Sequence, residues 1–249
     1  MKIAFRHVPF TPAQRAELDE MARAGGYETL WYADGATPQA EELKDCEVMM
    51  GYFPPALLPE LPALKWLQTP AAGVDKLCGN IFARDDAVLT NCSGAFGVAI
   101  AEYMVTGILM LMRLMPEYAS NQQHHVWKCM GSCRSIYGST ITVVGMGDIG
   151  SRFAHVAKAM GATVRGVRRT LGKKPADFDA VRDVDVVVMC LPGTAATRGM
   201  LSRECIAQMG PQTIVVNCGR GFTVDEEALI DALREKRIAG AVLDVTAVE

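Results

Sequence analysis

The sequence has no excess of basic residues. Its 25 lysines and arginines are outnumbered by 28 acidic residues, which gives a formal net charge of −3. A chain with this charge has no overall positive field to attract nucleic acid or an anionic membrane surface. We therefore expect neither as a partner, and an anionic small molecule would need a local basic site.

The sequence also has no tight cysteine pair, although it contains eight cysteines. The first ten residues lack the arrangement of a signal peptide. We interpret the cysteines as reduced thiols and expect a cytoplasmic protein. His125, Cys129 and Cys133 would share one face of a helix, as zinc ligands can, but the stretch includes Gly131 and lacks a firm helical pattern. We predict no metal.

No hydrophobic run is long enough to predict a membrane span. The best candidate, residues 96–112, contains Glu102 and two glycines and is followed at once by Arg113. A span needs roughly 20 apolar residues with few charges. A helix that is apolar nearly all round is more typical of a large core or a subunit interface.

What the chain does have is short apolar runs alternating with helical patterns. The first series predicts strands at 2–5, 29–32, 46–50, 64–68 and 87–90, with helices over 11–24 and 39–43. The second predicts strands at 141–144, 163–167, 184–190, 213–217 and 241–245, with helices near 149–160, 202–209 and 225–236. Between them we expect a long helix near 95–115 and a polar stretch, 117–137, that breaks the pattern. Such alternation indicates an α/β fold with two doubly wound parallel-sheet domains, residues 1–93 and 94–249.

A glycine-rich turn, Gly145-Met146-Gly147-Asp148-Ile149-Gly150, follows the first strand of the second series. The first glycine permits a tight turn, the second lets the backbone approach a pyrophosphate, and the third lets helix and strand pack closely. The following helix would offer its unpaired N–H groups to the phosphates. The pattern predicts a Rossmann-type dinucleotide site, with an ordinary strand–helix turn as the alternative.

The next predicted strand indicates which dinucleotide binds. Sites for NAD place an acidic residue about 20 positions further on, where it holds the ribose 2′-hydroxyl. At about that distance this chain has Arg168 and Arg169, followed by Thr170. Two guanidinium groups and a hydroxyl suit a 2′-phosphate. We predict that NADP is preferred; the alternative is a solvated strand end that accepts NAD.

Seven segments, in order, resemble the D-isomer-specific 2-hydroxyacid dehydrogenases, the group of glyoxylate/hydroxypyruvate reductases, D-lactate dehydrogenases and phosphoglycerate dehydrogenases. They are Gln68–Asp75, Thr90-Asn91, Ile100–Glu102, the glycine turn, Leu191–Thr194, Val216–Gly221 and Ala239–Val245. The resemblance implies a flavodoxin-like substrate-binding domain at 1–93 and an NAD(P)-binding Rossmann domain at 94–249, with the substrate between them. It also implies hydride transfer between NAD(P)(H) and a small D-2-hydroxy acid or 2-oxo acid.

The resemblance also assigns roles to residues. Arg220 matches the catalytic arginine, whose guanidinium can bind a carboxylate and the adjacent oxygen together; the alternative is a surface ion pair. Backbone N–H groups of Ala72, Gly73 and Val74 match a cradle for the substrate carboxylate; the alternative is a plain turn. The predicted cofactor residues are Gly145, Gly147, Asp148, Ile149, Gly150, Arg168, Arg169, Leu191, Pro192, Cys218, Gly219, Arg220 and Asp244. Trp127 falls where relatives often carry a tryptophan near the active site, although a core or interface role is equally open.

Glu249, the last residue of the sequence, matches the family's catalytic glutamate. There it pairs with a histidine further along and raises the pKa of that histidine, so that it can act as a general acid. We therefore expect either part of a longer enzyme, with an incomplete second domain, or a true truncation that binds dinucleotide but is catalytically impaired. Intact-mass measurement separates the two. An unpaired edge at the strand 241–245 is a further expectation.

Two further interpretations concern partners. The apolar helix near 96–112 suggests a homodimer formed through the Rossmann domain. A non-catalytic dinucleotide-binding sensor, or a corepressor-like interaction protein, remains the alternative to an enzyme.

Overall fold

The computed structural model describes residues 1–79, 81–167 and 178–248. The chain divides into two compact units, Met1–Ala95 and Phe96–Glu249. Each unit contains one five-stranded sheet in which the paired strands are parallel. This confirms the predicted class, an α/β protein with two parallel-sheet domains.

The first unit has the strand order β2-β1-β3-β4-β5, which is the doubly wound, flavodoxin-like order. Its elements are β1 (Lys2–Arg6), α1 (Pro12–Ala24), β2 (Glu28–Tyr32), α2 (Ala40–Leu43), β3 (Cys46–Gly51), β4 (Trp66–Gln68) and β5 (Val88–Thr90). Helix α1 begins where the sequence predicts. Thr11 and Gln14 form a reciprocal capping box, and Pro12 occupies the first turn.

The second unit has the strand order β10-β9-β8-β6-β7. Its first elements are α3 (Gly97–Met112), α4 (Met115–Gln123), β6 (Thr140–Val144), α5 (Asp148–Ala159) and β7 (Thr163–Val167). The remaining elements are β8 (Val186–Met189), α6 (Arg203–Ile206), β9 (Ile214–Asn217), α7 (Glu226–Arg234) and β10 (Gly240–Leu243). Strands β8 and β9 are buried along their whole length, as expected for central strands covered on both faces.

The long helix expected near 95–115 is present as α3, whereas the polar stretch 117–137 begins inside a further helix, α4, that the sequence pattern did not predict. Helix α3 ends at Met112, because Leu114 adopts a left-handed conformation with φ +55°. Helix α4 then occupies the start of the polar stretch. Pro116 and Glu117 lie in its first turn, where a fixed φ and a negative charge both favour helix.

The predicted helix at 202–209 is shorter than expected. Helix α6 covers only Arg203–Ile206. The chain then tightens, because Gln208 N–H donates to the carbonyl of Cys205 and Met209 N–H to that of Ile206. These three-residue hydrogen bonds are typical of 3₁₀ turns at helix ends.

The apolar candidate segment forms helix α3, and one face of that helix is in the core. Ala101, Met104 and Ile108 are buried there with Phe153 of α5. Among the described residues no single helix is long and apolar enough to cross a membrane; α3 and α4 meet the requirement of length and composition only as a pair, and they bend by 68° at their junction.

Candidate active site

Four adjacent strands of the second unit end in register. The aligned residues are Val144, Met189, Asn217 and Leu243. The residues that follow them therefore lie side by side at the carboxyl edge of the sheet. They are Gly145, Cys190, Cys218 and Asp244, and hydrogen bonds continue the alignment, since Cys218 N–H donates to Met189 (3.1 Å) and Asp244 N–H to Asn217 (3.0 Å). Ligands of parallel α/β sheets bind at this edge.

The glycine turn is shaped by close backbone contacts. Gly145 has φ +100°, and an added Cβ would lie 2.5 Å from the carbonyl oxygen of Cys190. A Cβ at Gly150 would overlap the carbonyl oxygen of Gly145. Contacts within the protein therefore require glycine at both positions. At Gly145 the cause is the positive φ and the nearby carbonyl, and at Gly150 it is the packing of α5 against the turn.

Gly147 is different. It is the exposed N-cap of α5, and a Cβ added there meets no atom within 4 Å. Packing within the chain therefore does not require glycine at this position. Open space beside the N-terminus of a twelve-residue helix is what a bound phosphate group needs.

Asp148 and Ile149 form the first turn of α5. The Asp148 carboxylate accepts a hydrogen bond of 2.8 Å from Arg152 Nε, one helical turn on. The side chain of Asp148 is thus engaged within the helix, and its backbone N–H is the group that faces the open end of α5. Leu191 and Pro192 follow β8 at the same sheet edge, after Cys190.

Arg220 lies in a turn whose backbone is held by buried polar groups. Asn217 Nδ2 donates to the carbonyl of Arg220 (3.1 Å), and Asn217 Oδ1 accepts from Gly219 N–H (3.1 Å). Thr223 Oγ1 donates to the same Arg220 carbonyl (2.6 Å). Neither Asn217 nor Thr223 is among the site residues predicted from the sequence. The available signal was a polar residue at the end of the otherwise apolar strand β9.

The two glycines beside Arg220 also have a structural cause. A Cβ at Gly219 would lie 2.6 Å from the carbonyl oxygen of Leu191, and one at Gly221 would overlap the backbone of Thr246. Arg220 is therefore the first side chain that this turn can carry after Cys218. It is half-buried, and its Nη1 donates to the carbonyl of Gly219 (2.8 Å).

The cysteines at this edge are neutral thiols. Burial raises the pKa of Cys190 to about 12. Burial also raises the pKa of Cys218, and the nearby Cys190 and Asp244 add to that effect. Because the thiolate is the nucleophilic form, neither side chain acts as a nucleophile at neutral pH.

In the first unit, Ala72, Gly73 and Val74 lie in the turn after β4. Asn91 Nδ2 donates to the carbonyl of Ala72 (2.7 Å) and so fixes one side of the turn. Within the described residues, no group accepts a hydrogen bond from the N–H of any of these three residues. Three consecutive N–H groups are thus available in this turn, which is the feature on which the predicted carboxylate cradle depends.

Three predicted site residues, Arg168, Arg169 and Glu249, lie outside the described residues. Among those that are described, no group of three or more His, Cys, Asp or Glu side chains is arranged to hold a metal ion. Cys129 and Cys133 lie beyond the end of α4, so they do not share a helical face with His125.

Residues 105–249 match the family described as "D-isomer specific 2-hydroxyacid dehydrogenase, NAD binding domain". D-3-phosphoglycerate dehydrogenase of Bacillus subtilis is 30% identical over 203 residues, which are 78% of this chain and 39% of that protein. Glyoxylate reductase of Thermococcus gammatolerans is 32% identical over 203 residues, 74% of this chain and 60% of that protein.

A solved structure is similar over the whole chain. It is described as a D-isomer specific 2-hydroxyacid dehydrogenase family protein from Aeromonas salmonicida, with TM-score 0.83 and 30% identity, and the match covers 100% of this chain and 82% of that one. The first curated relatives are longer: the chain spans between 35% and 42% of their length.

Proposed function

The chain belongs to the D-isomer specific 2-hydroxyacid dehydrogenase family, and on that premise we propose that it is an oxidoreductase that transfers a hydride between a nicotinamide dinucleotide and a small D-2-hydroxy acid or 2-oxo acid. One observation carries the proposal. The turn that presents Arg220 and the glycine turn at Gly145 project from the same carboxyl edge of one sheet. The guanidinium of Arg220, which would bind a carboxylate, and the glycine turn, which would bind a dinucleotide, thus belong to one site.

The residues of this edge fit a dinucleotide. The open space at Gly147 and the free end of α5 would receive the pyrophosphate. Leu191, Pro192, Cys218, Gly219 and Asp244 would line the rest of the cofactor. When bound, the dinucleotide supplies or accepts the hydride.

NADP is the cofactor we propose as preferred. The support is the sequence after β7, where Arg168 and Arg169 stand in place of the acidic residue of NAD sites. NAD is the alternative, and comparison of the two reduced cofactors with one substrate decides between them.

Arg220 binds and polarises the substrate. Its guanidinium can contact one carboxylate oxygen and the 2-oxo oxygen together, which draws electron density from the carbonyl carbon that receives the hydride. Asn217 and Thr223 hold its backbone, so the guanidinium starts from a fixed turn. Ala72, Gly73 and Val74 are proposed to bind a substrate carboxylate through their N–H groups. We assign Glu249 as the carboxylate partner of the histidine that donates the proton.

The direct test is a substrate panel. The purified protein is mixed with NADPH or NADH and with glyoxylate, hydroxypyruvate, pyruvate or phenylpyruvate, and the absorbance of the reduced nicotinamide is followed. We expect oxidation with at least one acid, and faster with NADPH. Dinucleotide binding without turnover of any acid would favour a sensor or a corepressor-like protein instead.

The Arg220 role has its own test. Arg220→Ala should lower turnover with the 2-oxo acid by at least about 100-fold, because one electrostatic contact to the reacting oxygen is lost. Dinucleotide binding, measured by fluorescence, should persist. Arg220→Lys keeps the charge but not the bidentate geometry, and we expect it to recover only part of the activity.

We also propose that the protein acts as a homodimer in the cytoplasm. All eight cysteines are free thiols in the structure, which suits a reducing compartment. Helix α3 exposes Met110 on the face away from its core side, and Trp127 beyond α4 is fully exposed. Such apolar surface on the second unit is typical of an interface with another copy.

A further inference from the structure

Two segments at the sheet edge are joined by their backbones. One is the loop between β8 and α6, and the other is the turn after Arg220. Gly199 N–H donates to the carbonyl of Phe222, and Leu201 N–H to that of Thr223, both at 2.9 Å. Leu201 and Val224 form a parallel bridge. Backbone hydrogen bonds therefore connect the loop after β8 directly to the turn after Arg220.

A side-chain contact reinforces this connection. The guanidinium carbon of Arg198 lies 4.6 Å from the ring centroid of Phe222, which is a cation–π stack. Arg198 comes from the loop after β8, and Phe222 lies two residues beyond Arg220. The stack therefore connects Arg198, in the loop after β8, to the turn that carries Arg220.

The stack adds a contact to a turn that Asn217 and Thr223 already hold, and to a loop that contains glycine. Gly199 adopts φ +58°, and Gly219 and Gly221 flank Arg220. Glycine backbones have the widest conformational freedom, so a turn built on them depends on its contacts for a single shape. Backbone hydrogen bonds of 2.9 Å join the loop to the turn, and the stack is a side-chain contact between the same two segments.

We propose that Arg198 is a positioning residue: by stacking on Phe222 it holds the Arg220 turn, and through that turn it holds the guanidinium that binds the 2-oxo acid. This inference rests on the proposed function. It adds a second arginine to the machinery, one that acts through the protein rather than on the substrate.

The kinetic test separates the stack from general stability. Arg198→Met keeps the aliphatic stem and removes the cation, and Phe222→Leu removes the ring. We expect each to lower kcat/KM for the 2-oxo acid by about 2- to 5-fold, the effect of losing an exposed cation–π contact. The dissociation constant of NADPH should stay within about twofold of wild type, since pyrophosphate binding uses the glycine turn.

Matched variants make the result specific. The double variant should be no worse than either single one, because the two changes remove the same contact. Arg198→Lys keeps a cation and should restore most of the activity. Arg203→Met removes another exposed arginine contact in this unit, a 2.9 Å ion pair with Asp231 on α7, and should leave kcat/KM unchanged. Additive losses in the double variant, or unchanged kinetics in Arg198→Met, would overturn the inference.

A measurement without substrate distinguishes this inference from the proposed function. Hydrogen exchange of the Thr223 and Val224 amides reports on the Arg220 turn, because both donate within it. Faster exchange in Arg198→Met than in wild type, with unchanged exchange in β8 and β9, supports the positioning role even if no acid of the panel is turned over. Equal exchange in the two proteins rejects it even if the wild type is an active reductase.

Discussion

The side chain of Asn217 makes two hydrogen bonds to the turn of Arg220: its amide nitrogen lies 3.1 Å from the Arg220 carbonyl oxygen, and its oxygen lies 3.1 Å from the Gly219 nitrogen. Only 1% of Asn217 is exposed. A buried side-chain amide that both donates to and accepts from one turn defines the position of that turn more tightly than an apolar residue could.

Replacement of Asn217 should therefore impair the chemistry more than cofactor binding. Asn217→Ala leaves the buried Gly219 N–H without its partner, at a cost of about 1–3 kcal/mol, while the Arg220 carbonyl keeps only its hydrogen bonds from Thr223. We expect kcat/KM for the 2-oxo acid to fall at least about tenfold. Asn217→Asp can still accept from Gly219 but cannot donate to Arg220, so it should be impaired as well. Normal kinetics in both variants would show that the Asn217 hydrogen bonds are not needed for the reaction.

Alanine substitutions at two glycines of the glycine turn should impair different properties, dinucleotide binding in one case and stability in the other. A methyl group at Gly147 meets open space, so Gly147→Ala should fold as the wild type does and lose dinucleotide affinity, because the methyl occupies the place of a phosphate. A methyl group at Gly150 overlaps the carbonyl of Gly145. Gly150→Ala should lower the free energy of unfolding by about 1–3 kcal/mol. Urea unfolding and NADPH titration of both variants check this; an unstable Gly147→Ala would contradict it.

The sequence predicted the parts of this site that depend on local pattern. Apolar runs located the strands of both sheets, and the glycine turn and Arg220 follow two of those strands. Helix α4 was not predicted because its polar residues carry no apolar stripe. Its start depends on Pro116 and on the left-handed conformation of Leu114, and local composition does not reveal that conformation. The link between Arg198 and Phe222 joins segments that meet only when β8 and β9 align. Contacts of that kind follow from strand register, which a single sequence leaves open.

Arg168 and Arg169 should set the choice of cofactor. Removing both guanidinium groups by substitution to alanine should raise KM for NADPH by about tenfold or more, since a hydrogen bond to a charged group is worth about 1.5–3 kcal/mol. KM for NADH should change little, because NADH has no 2′-phosphate. The ratio of the two KM values in the double variant and the wild type is the measurement. An equal loss with both cofactors would mean that the arginines do not read the 2′-phosphate.

The buried thiols should make the protein less stable in alkali. Burial raises the pKa of Cys46 to about 11 and that of Cys190 to about 12, from an ordinary value of 9.0. The unfolded chain therefore releases these protons at lower pH than the native protein does. The stabilising contribution is fully present below pH 9 and is lost as the pH rises toward the native pKa values, with a slope of up to about 1.4 kcal/mol per pH unit for each thiol. Urea unfolding across this range measures the slope, and Cys190→Ala should reduce it; an unchanged slope would contradict the assignment.

The exposed face of α3 should carry the contact between two copies of the chain. Met110 on this face is 45% exposed, and a charge placed there would have to be buried without a partner in a dimer. We expect Met110→Glu to sediment as a monomer at concentrations where the wild type is dimeric. Met21→Glu is the matched control, because Met21 is 64% exposed on α1 of the other unit, and it should leave the dimer intact. A monomeric wild type would reject the dimer, and a dimeric Met110→Glu would move the interface away from α3.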